Sequence, residues 1–173
     1  HGNHSGPCRH VHDLQMIRRY TIADAGSLTK LIRRYWDDVS DDSYSMDGLG
    51  EPIYQVCTRP DVFAIGSDPR RNSFIFYPLG LVSCQVHVIA SEKQGRLKLA
   101  HAAIGWMCDN TTFENISAFI PVYKRHVVLF DEMCGMRRVG VLEQSVRKGG
   151  QLFDQVIYQT TRQEFREVYG WKQ

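Results

Sequence analysis

Apolar and polar positions along this chain change period several times, and the changes mark out its elements. Met16 to Tyr20 reads as a short strand. Thr21 can cap a helix, with Asp24 three residues on as its reciprocal partner. Leu28, Leu31, Ile32 and Tyr35 then recur on one face, which predicts a helix over residues 22–36. The following DDVSDDSYSMDGLGEP is acidic and turn-rich, with room for a second short helix. Val62 to Ile65 reads as a strand, Ser67-Asp68-Pro69 as a turn, and Ser73 to Tyr77 as the hairpin partner. Leu81 to Ala90 alternates apolar and polar residues in its middle and is a longer strand. Leu97, His101, Ile104 and Cys108 step by four, three and four, so residues 96–110 are helical. A strand over residues 115–122 precedes a helix over 123–134, with Val127, Phe130 and Cys134 inward and Gly135 as C-cap. Two further β-like runs flank Gly150.

No internal repeat or splitting linker is visible, so residues 15–173 read as a single domain behind a polar leader, residues 1–14. Hydrophobic content of 43% argues for a packed core rather than a disordered tail. A formal charge of +2 demands no nucleic acid, and the pairs Arg33-Arg34, Arg70-Arg71 and Arg137-Arg138 read as solvated surface. No apolar run approaches the roughly 20 residues of a membrane span, and no signal-peptide pattern is present. Five cysteines, at 8, 57, 84, 108 and 134, make no disulfide framework and fit a reducing, cytoplasmic compartment. His1, His4, Cys8, His10 and His12 have zinc-capable side chains. Their spacing lacks a Cys-x-x-Cys knuckle and ordering a short tail is costly, so no metal is expected.

The last third carries more specific information. Gly135-Met136 ends a helix, Arg138-Val139-Gly140-Val141 opens a strand, Gly150 turns, and Asp154 and Tyr158 lie four apart on the final strand. This resembles the C-terminal half of the GNAT-type N-acetyltransferases, especially the subgroup acting on protein N-termini, amino sugars and small amines. The resemblance implies an α/β fold: one mixed, mainly antiparallel sheet of about seven strands with helices on both faces. Strands four and five should be parallel and diverge at one end. It implies acetyl-CoA as cofactor and a small-molecule or peptide amine as acceptor. The chain also looks similar to acetyltransferase-like proteins of tailed bacteriophages. The alternative reading is therefore an inactive structural or assembly protein in a virion, with a homodimer or a phage head or tail component as partner.

In the family, the backbone of the fourth strand bonds the pantetheine arm, which places Val86, His87 and Val88 along the cofactor. The pyrophosphate sits on amides opening the next helix, where orphan N–H groups suit an anion. Here those positions are Gln94, Gly95, Arg96, Leu97, Lys98 and Leu99. The family pattern places small residues where this chain has Leu97 and Leu99, and a leucine side chain can obstruct approach to the backbone. Counting back from Gly135, the family's asparagine becomes Lys124, which could reach a phosphate. The family's acidic tyrosine becomes Asp131, which protonates a leaving thiolate only if its pKa is strongly raised. Otherwise it is a solvated or capping carboxylate beside Glu132.

His87 has a pKa suited to a general base and would stand near the thioester. Tyr123 could donate a hydrogen bond there. Cys84 three residues before His87 admits an acyl-cysteine route, with no Cys-His-Asp arrangement to support it. Asp154 and Tyr158 share a strand face and either line the acceptor side or tie the last strands together. The acidic run Asp37 to Asp47 either attracts a cationic substrate or is an ordinary solvated loop.

Overall fold

The computed structural model describes residues 17–43, 45–91 and 95–170. The histidines and Cys8 of the leader, and Gln94, lie outside them. The strands are β1 (Arg18–Arg19), β2 (Phe63–Gly66), β3 (Asn72–Pro78), β4 (Ser83–Ala90), β5 (Asn115–Pro121), β6 (Arg137–Lys148) and β7 (Gln151–Thr161). They form one sheet in the order β1-β2-β3-β4-β5-β7-β6. Every neighbouring pair is antiparallel except β4 and β5.

Strand alternation sends side chains to two helical layers. Leu28, Leu31 and Ile32 of α1 (Ala25–Arg34) and Ile53 and Val56 of α3 (Gly50–Thr58) bury against Ala64, Ile75 and Ile89. On the opposite face, α4 (Arg96–Asn110) buries Ala103, Met107 and Cys108 against Phe74, Phe76, Cys84 and Ile116. The helices α5 (Arg125–Met133) and α6 (Arg162–Tyr169) complete that second layer through Cys134 behind α5 and through Phe165. This is the mixed seven-stranded α/β fold that the resemblance implied.

Three details differ from the periodicity. The first helix is interrupted at Tyr35 and resumes as α2 (Trp36–Val39). Its start is as expected, with the Asp24 carboxylate accepting the Thr21 N–H at 2.8 Å. The helix α3 begins inside the acidic, turn-rich stretch, at Gly50, and runs beyond it to Thr58. The helix α6 was not anticipated, although Thr161 and Glu164 form a reciprocal cap and Phe165 is fully buried.

Close packing at the β1 end is fixed by Gly66. A Cβ there would overlap the Tyr20 hydroxyl and lie 2.5 Å from Asn72 Oδ1. Both groups are pinned, since the Tyr20 hydroxyl donates to the Asn72 carbonyl at 2.7 Å and both residues are buried. Gly66→Ala is therefore expected to destabilise by about 1–3 kcal/mol, the usual cost of overpacking. A denaturant midpoint equal to wild type would contradict this.

Candidate active site

The parallel pairing of β4 with β5 is short. It registers Ser83 with Asn115, Cys84 with Ile116 and Gln85 with Ser117, and then stops. Beyond Gln85, β4 stays on β3 and β5 stays on β7, so the two strands part. The backbone directions follow from the flanking bonds. Ser91 donates to the Arg71 carbonyl on the β3 side, while the Val82 carbonyl accepts from Glu114 and Asn115 on the β5 side. Main-chain groups alternate along a strand, so those of Val86 and Val88 face the gap. Among the described residues no strand pairs with them there. His87, between them, turns its backbone to β3 opposite Ile75, so it offers the gap no main-chain group.

The helix after the gap starts at Gly95, which has φ 75° and open space where a Cβ would be. The first intrahelical bond runs from the Leu99 N–H to the Gly95 carbonyl. The amides of Leu97 and Lys98 precede it, inside the first helical turn where N–H groups suit an anion. Leu97 and Leu99 pack, partly buried, against the α4-side core. The Arg96 guanidinium lies 5.8 Å from the Phe130 ring centroid.

His87 projects on the α1–α3 face. Its ring meets Tyr77 edge-on at 5.4 Å, and Tyr77 belongs to that face's core. The Gln85 amide nitrogen lies 3.0 Å from His87 Nε2. An amide nitrogen only donates, so this contact is a hydrogen bond in the tautomer whose proton is on Nδ1. His87 is exposed, with Tyr77 and Gln85 against its ring. That crowding, helped by the Lys124 ammonium, holds its pKa below the ordinary histidine value.

Lys124 caps α5 and spends its ammonium on the Asp38 carbonyl at the end of α2. It thus stands on the His87 side of the sheet. Burial pulls its pKa down, against the opposing pull of Asp38. Tyr123 is exposed and meets Phe153 edge-on at 4.8 Å. Burial raises its pKa, with Asp41 and Asp42 adding to the effect.

On the other face, Asp131 is not the solvated carboxylate its neighbour Glu132 suggested. It is 5% exposed, and its Oδ2 has no hydrogen-bond partner among the described residues. Burial raises its pKa to about 7. Asp131 lies close enough to the buried Cys134, in the layer that receives Val127 and Phe130 of α5, to act on its thiol. An acyl-cysteine route through Cys84 is not supported, because the thiol is fully buried and its pKa is pushed up to about 12.

Asp154 and Tyr158 tie elements together. Asp154 Oδ1 accepts from the Gln144 N–H at 2.8 Å, and Gln144 has φ 46°, within an irregular stretch of β6. The Tyr158 hydroxyl donates to Glu132 at 2.7 Å. Sequence reasoning missed Gln85 and Asp42. Gln85 had a weak signal as the residue two before His87 on one strand face. Asp42 had none, since its glycine partners are more than 100 positions away. Among the described residues, no cluster of three metal-ligating side chains exists, and no helix is long and apolar enough to cross a membrane.

Comparison with known proteins adds three findings. A family described as "Protein of unknown function (DUF2824)" matches residues 81–173. A curated relative, "Putative protein p31" of Acyrthosiphon pisum secondary endosymbiont phage 1, is 28% identical over 68 residues. That match covers 39% of this chain, and the chain spans 43% of the relative's length. Among solved structures, the fold resembles an N-acetyltransferase from Staphylococcus aureus Mu50, with TM-score 0.70 and 14% identity over 85% of this chain and 97% of the other. It also resembles a point mutant of the spermidine N-acetyltransferase SpeG from Vibrio cholerae, with TM-score 0.72 and 13% identity over 87% and 96%. A GNAT-family acetyltransferase from Streptococcus pneumoniae gives TM-score 0.68 and 12% identity over 84% and 98%. At such identities the likeness is one of fold.

Proposed function

We propose that this chain, which belongs to the DUF2824 family, is an acetyl-CoA-dependent N-acetyltransferase acting on an amine. One observation carries the reading: β4 and β5 separate after Gln85–Ser117 and leave the Val86 and Val88 main chains facing an open gap. An amide-rich pantetheine arm fits such an edge, and the Gly95 turn supplies amides for its pyrophosphate. Val86, Val88 and the segment from Gly95 to Leu99 would hold the cofactor. Lys124, engaged with Asp38, would not reach its phosphates.

Acetyl-CoA supplies an activated acetyl group. The chain's own residues then divide the proton traffic between the two faces of the sheet. His87 takes a proton from the acceptor amine on the α1–α3 face as the N–C bond forms. The acceptor N–H would first displace Gln85 from the Nε2 lone pair. Asp131, buried on the α4–α5 face, would give a proton to the sulfur as the C–S bond breaks. The balanced products are an N-acetyl amide and CoA thiol. The amides of Val86 and Val88 are the backbone donors available to a developing oxyanion. Thiols at Cys84, Cys108 and Cys134, all free, fit a reducing cytoplasm.

Titrating acetyl-CoA calorimetrically tests the reading directly. Binding is expected for wild type and is expected to vanish in Gly95→Trp, whose indole fills the open space above the amides. Unaltered affinity in that variant would place the cofactor elsewhere. No heat and no thermal shift at millimolar acetyl-CoA would favour the second reading, a non-catalytic phage protein. The observation behind that second reading is the phage relative.

A further inference from the structure

The stripe of α5 that faces the core runs through Val127 and Asp131 to Cys134 just beyond the helix. Arg125, Val128, Leu129 and Glu132 recur at steps of three, one and three and make a second stripe. With about 100° of turn per residue, this stripe points away from the first. It stands over the outer strands of the sheet. Val156 and Tyr158 of β7 share a parity and therefore a face. Arg138 of β6 is the register partner of Tyr158, which puts its side chain on the same face. Between helix and strands lies an open groove of about 390 Å³, a size in the range of small-ligand sites. Its apolar lining includes Val128, Leu129 and Val156, and Leu129 is 60% exposed.

Two cations border that apolar surface. Arg125 and Arg138 both line the groove and both are exposed. Neither guanidinium has a hydrogen bond or ion pair among the described residues. The adjacent Arg137 differs, since Glu164 holds it at 2.9 Å. The carboxylate that lines the groove, Glu132, accepts the Tyr158 hydroxyl at 2.7 Å and pairs with neither arginine. The groove therefore combines aliphatic side chains with two uncompensated guanidiniums.

We propose that the groove between α5 and the β6–β7 pair is a second ligand site, for a small carboxylate that carries an aliphatic tail. The tail lies on Val128, Leu129 and Val156, and the carboxylate meets Arg125 and Arg138. A guanidinium presents a planar fork that matches a carboxylate's two oxygens. Both halves of the ligand are needed. Each methylene buried on the aliphatic surface strengthens binding about fourfold. The positive charge beside it selects an anionic amphiphile against a cationic one. The groove lies over β7 and β6, whereas the gap assigned to acetyl-CoA lies between β4 and β5. The inference therefore stands or falls apart from the acetyltransferase reading.

Octanoate is the probe, titrated into the full chain and followed by amide chemical shifts. Saturable shifts are expected at residues 125–132 and 156–158, with a dissociation constant in the millimolar range or below. Hexanoate should bind more weakly, by up to about fourfold for each methylene removed. Acetate and octylamine should give no saturable shift there. Arg125→Ala and Arg138→Ala should each weaken octanoate about tenfold, the usual loss of a charge-assisted hydrogen bond. Both side chains are exposed, so neither change threatens the fold. Acetyl-CoA should not displace octanoate, and a chain that binds octanoate here but no acetyl-CoA would sink the enzymatic reading alone. No shift with octanoate, equal binding of octylamine, or wild-type affinity in both arginine variants overturns the site. Octanoate shifts confined to Val86 and Val88 would place the probe in the strand gap and overturn it too. Shifts in the groove that grow with protein concentration before any octanoate is added would give the surface to a second copy of the chain instead.

Discussion

His87→Ala should lose about 10²–10⁴ in turnover, the usual contribution of a positioned proton acceptor. Its apparent affinity for acetyl-CoA should change little. The proposed cofactor edge is the main chain of Val86 and Val88, and His87 turns its backbone to β3. The loss should therefore fall on kcat. In wild type, activity should rise with pH through the His87 ionisation, because only the neutral ring accepts a proton. Crowding and the Lys124 charge place that ionisation below the ordinary value. Activity should therefore approach its plateau at lower pH than an unperturbed histidine would give. The variant should lack this limb. Steady-state rates across pH, with saturating acetyl-CoA, make the comparison. A variant with wild-type turnover and an unchanged profile removes His87 from the chemistry, leaving backbone positioning and an already neutral amine as the account.

How much of this was legible in the sequence depends on the range of the forces involved. Elements set by local periodicity were visible: the Leu28, Leu31, Ile32 stripe of α1 and the alternation of β4 both appear where the pattern placed them. The Thr21–Asp24 cap is a three-residue signal and is present. The Thr161–Glu164 cap is the same signal, and α6 went unread because the preceding strand pattern runs directly into it. The parting of β4 and β5 has no signature in either strand. It followed only from the resemblance of the closing segment to a known fold. The site's polar geometry was less legible still. Lys124, which by the resemblance could reach a phosphate, donates to the Asp38 carbonyl, a partner 86 positions earlier that no local pattern announces. Asp42 and its glycines are joined across 108 positions at most. For Asp131 the sequence left two environments open, a carboxyl with a strongly raised pKa and a solvated or capping carboxylate, because the packing of α5 on a distant sheet that buries it has no local signal.

Replacing Asp131 by asparagine should remove a pH dependence of stability and, if the enzymatic reading holds, an acid from the chemistry. The stability argument needs only burial. The folded carboxyl has a pKa of about 7 against 3.8 when unperturbed. The folded state therefore binds this proton more tightly than the unfolded state. That contribution is complete below the unfolded pKa and is lost as pH rises through about 7. The displacement corresponds to on the order of 4 kcal/mol between the two limits. Wild type should thus lose stability from about pH 4 to pH 7, and Asp131→Asn should not. Carboxylates with lowered pKa, such as Asp24 at about 2, act in the opposite sense. Their contribution is present above the unfolded value and is lost as pH falls, so the two windows do not overlap. Denaturant unfolding of both chains at about pH 4.5 and pH 8, on either side of most of that window, separates the cases. Parallel slopes in the two chains would mean the carboxyl is hydrated after all. In the active enzyme the same ionisation should appear as a falling limb near pH 7, since only the protonated carboxyl can supply the departing sulfur. Asparagine has the shape of that acid without its proton. A variant that shows the flattened stability profile yet keeps full turnover would leave Asp131 a buried structural acid and hand the sulfur's proton to solvent.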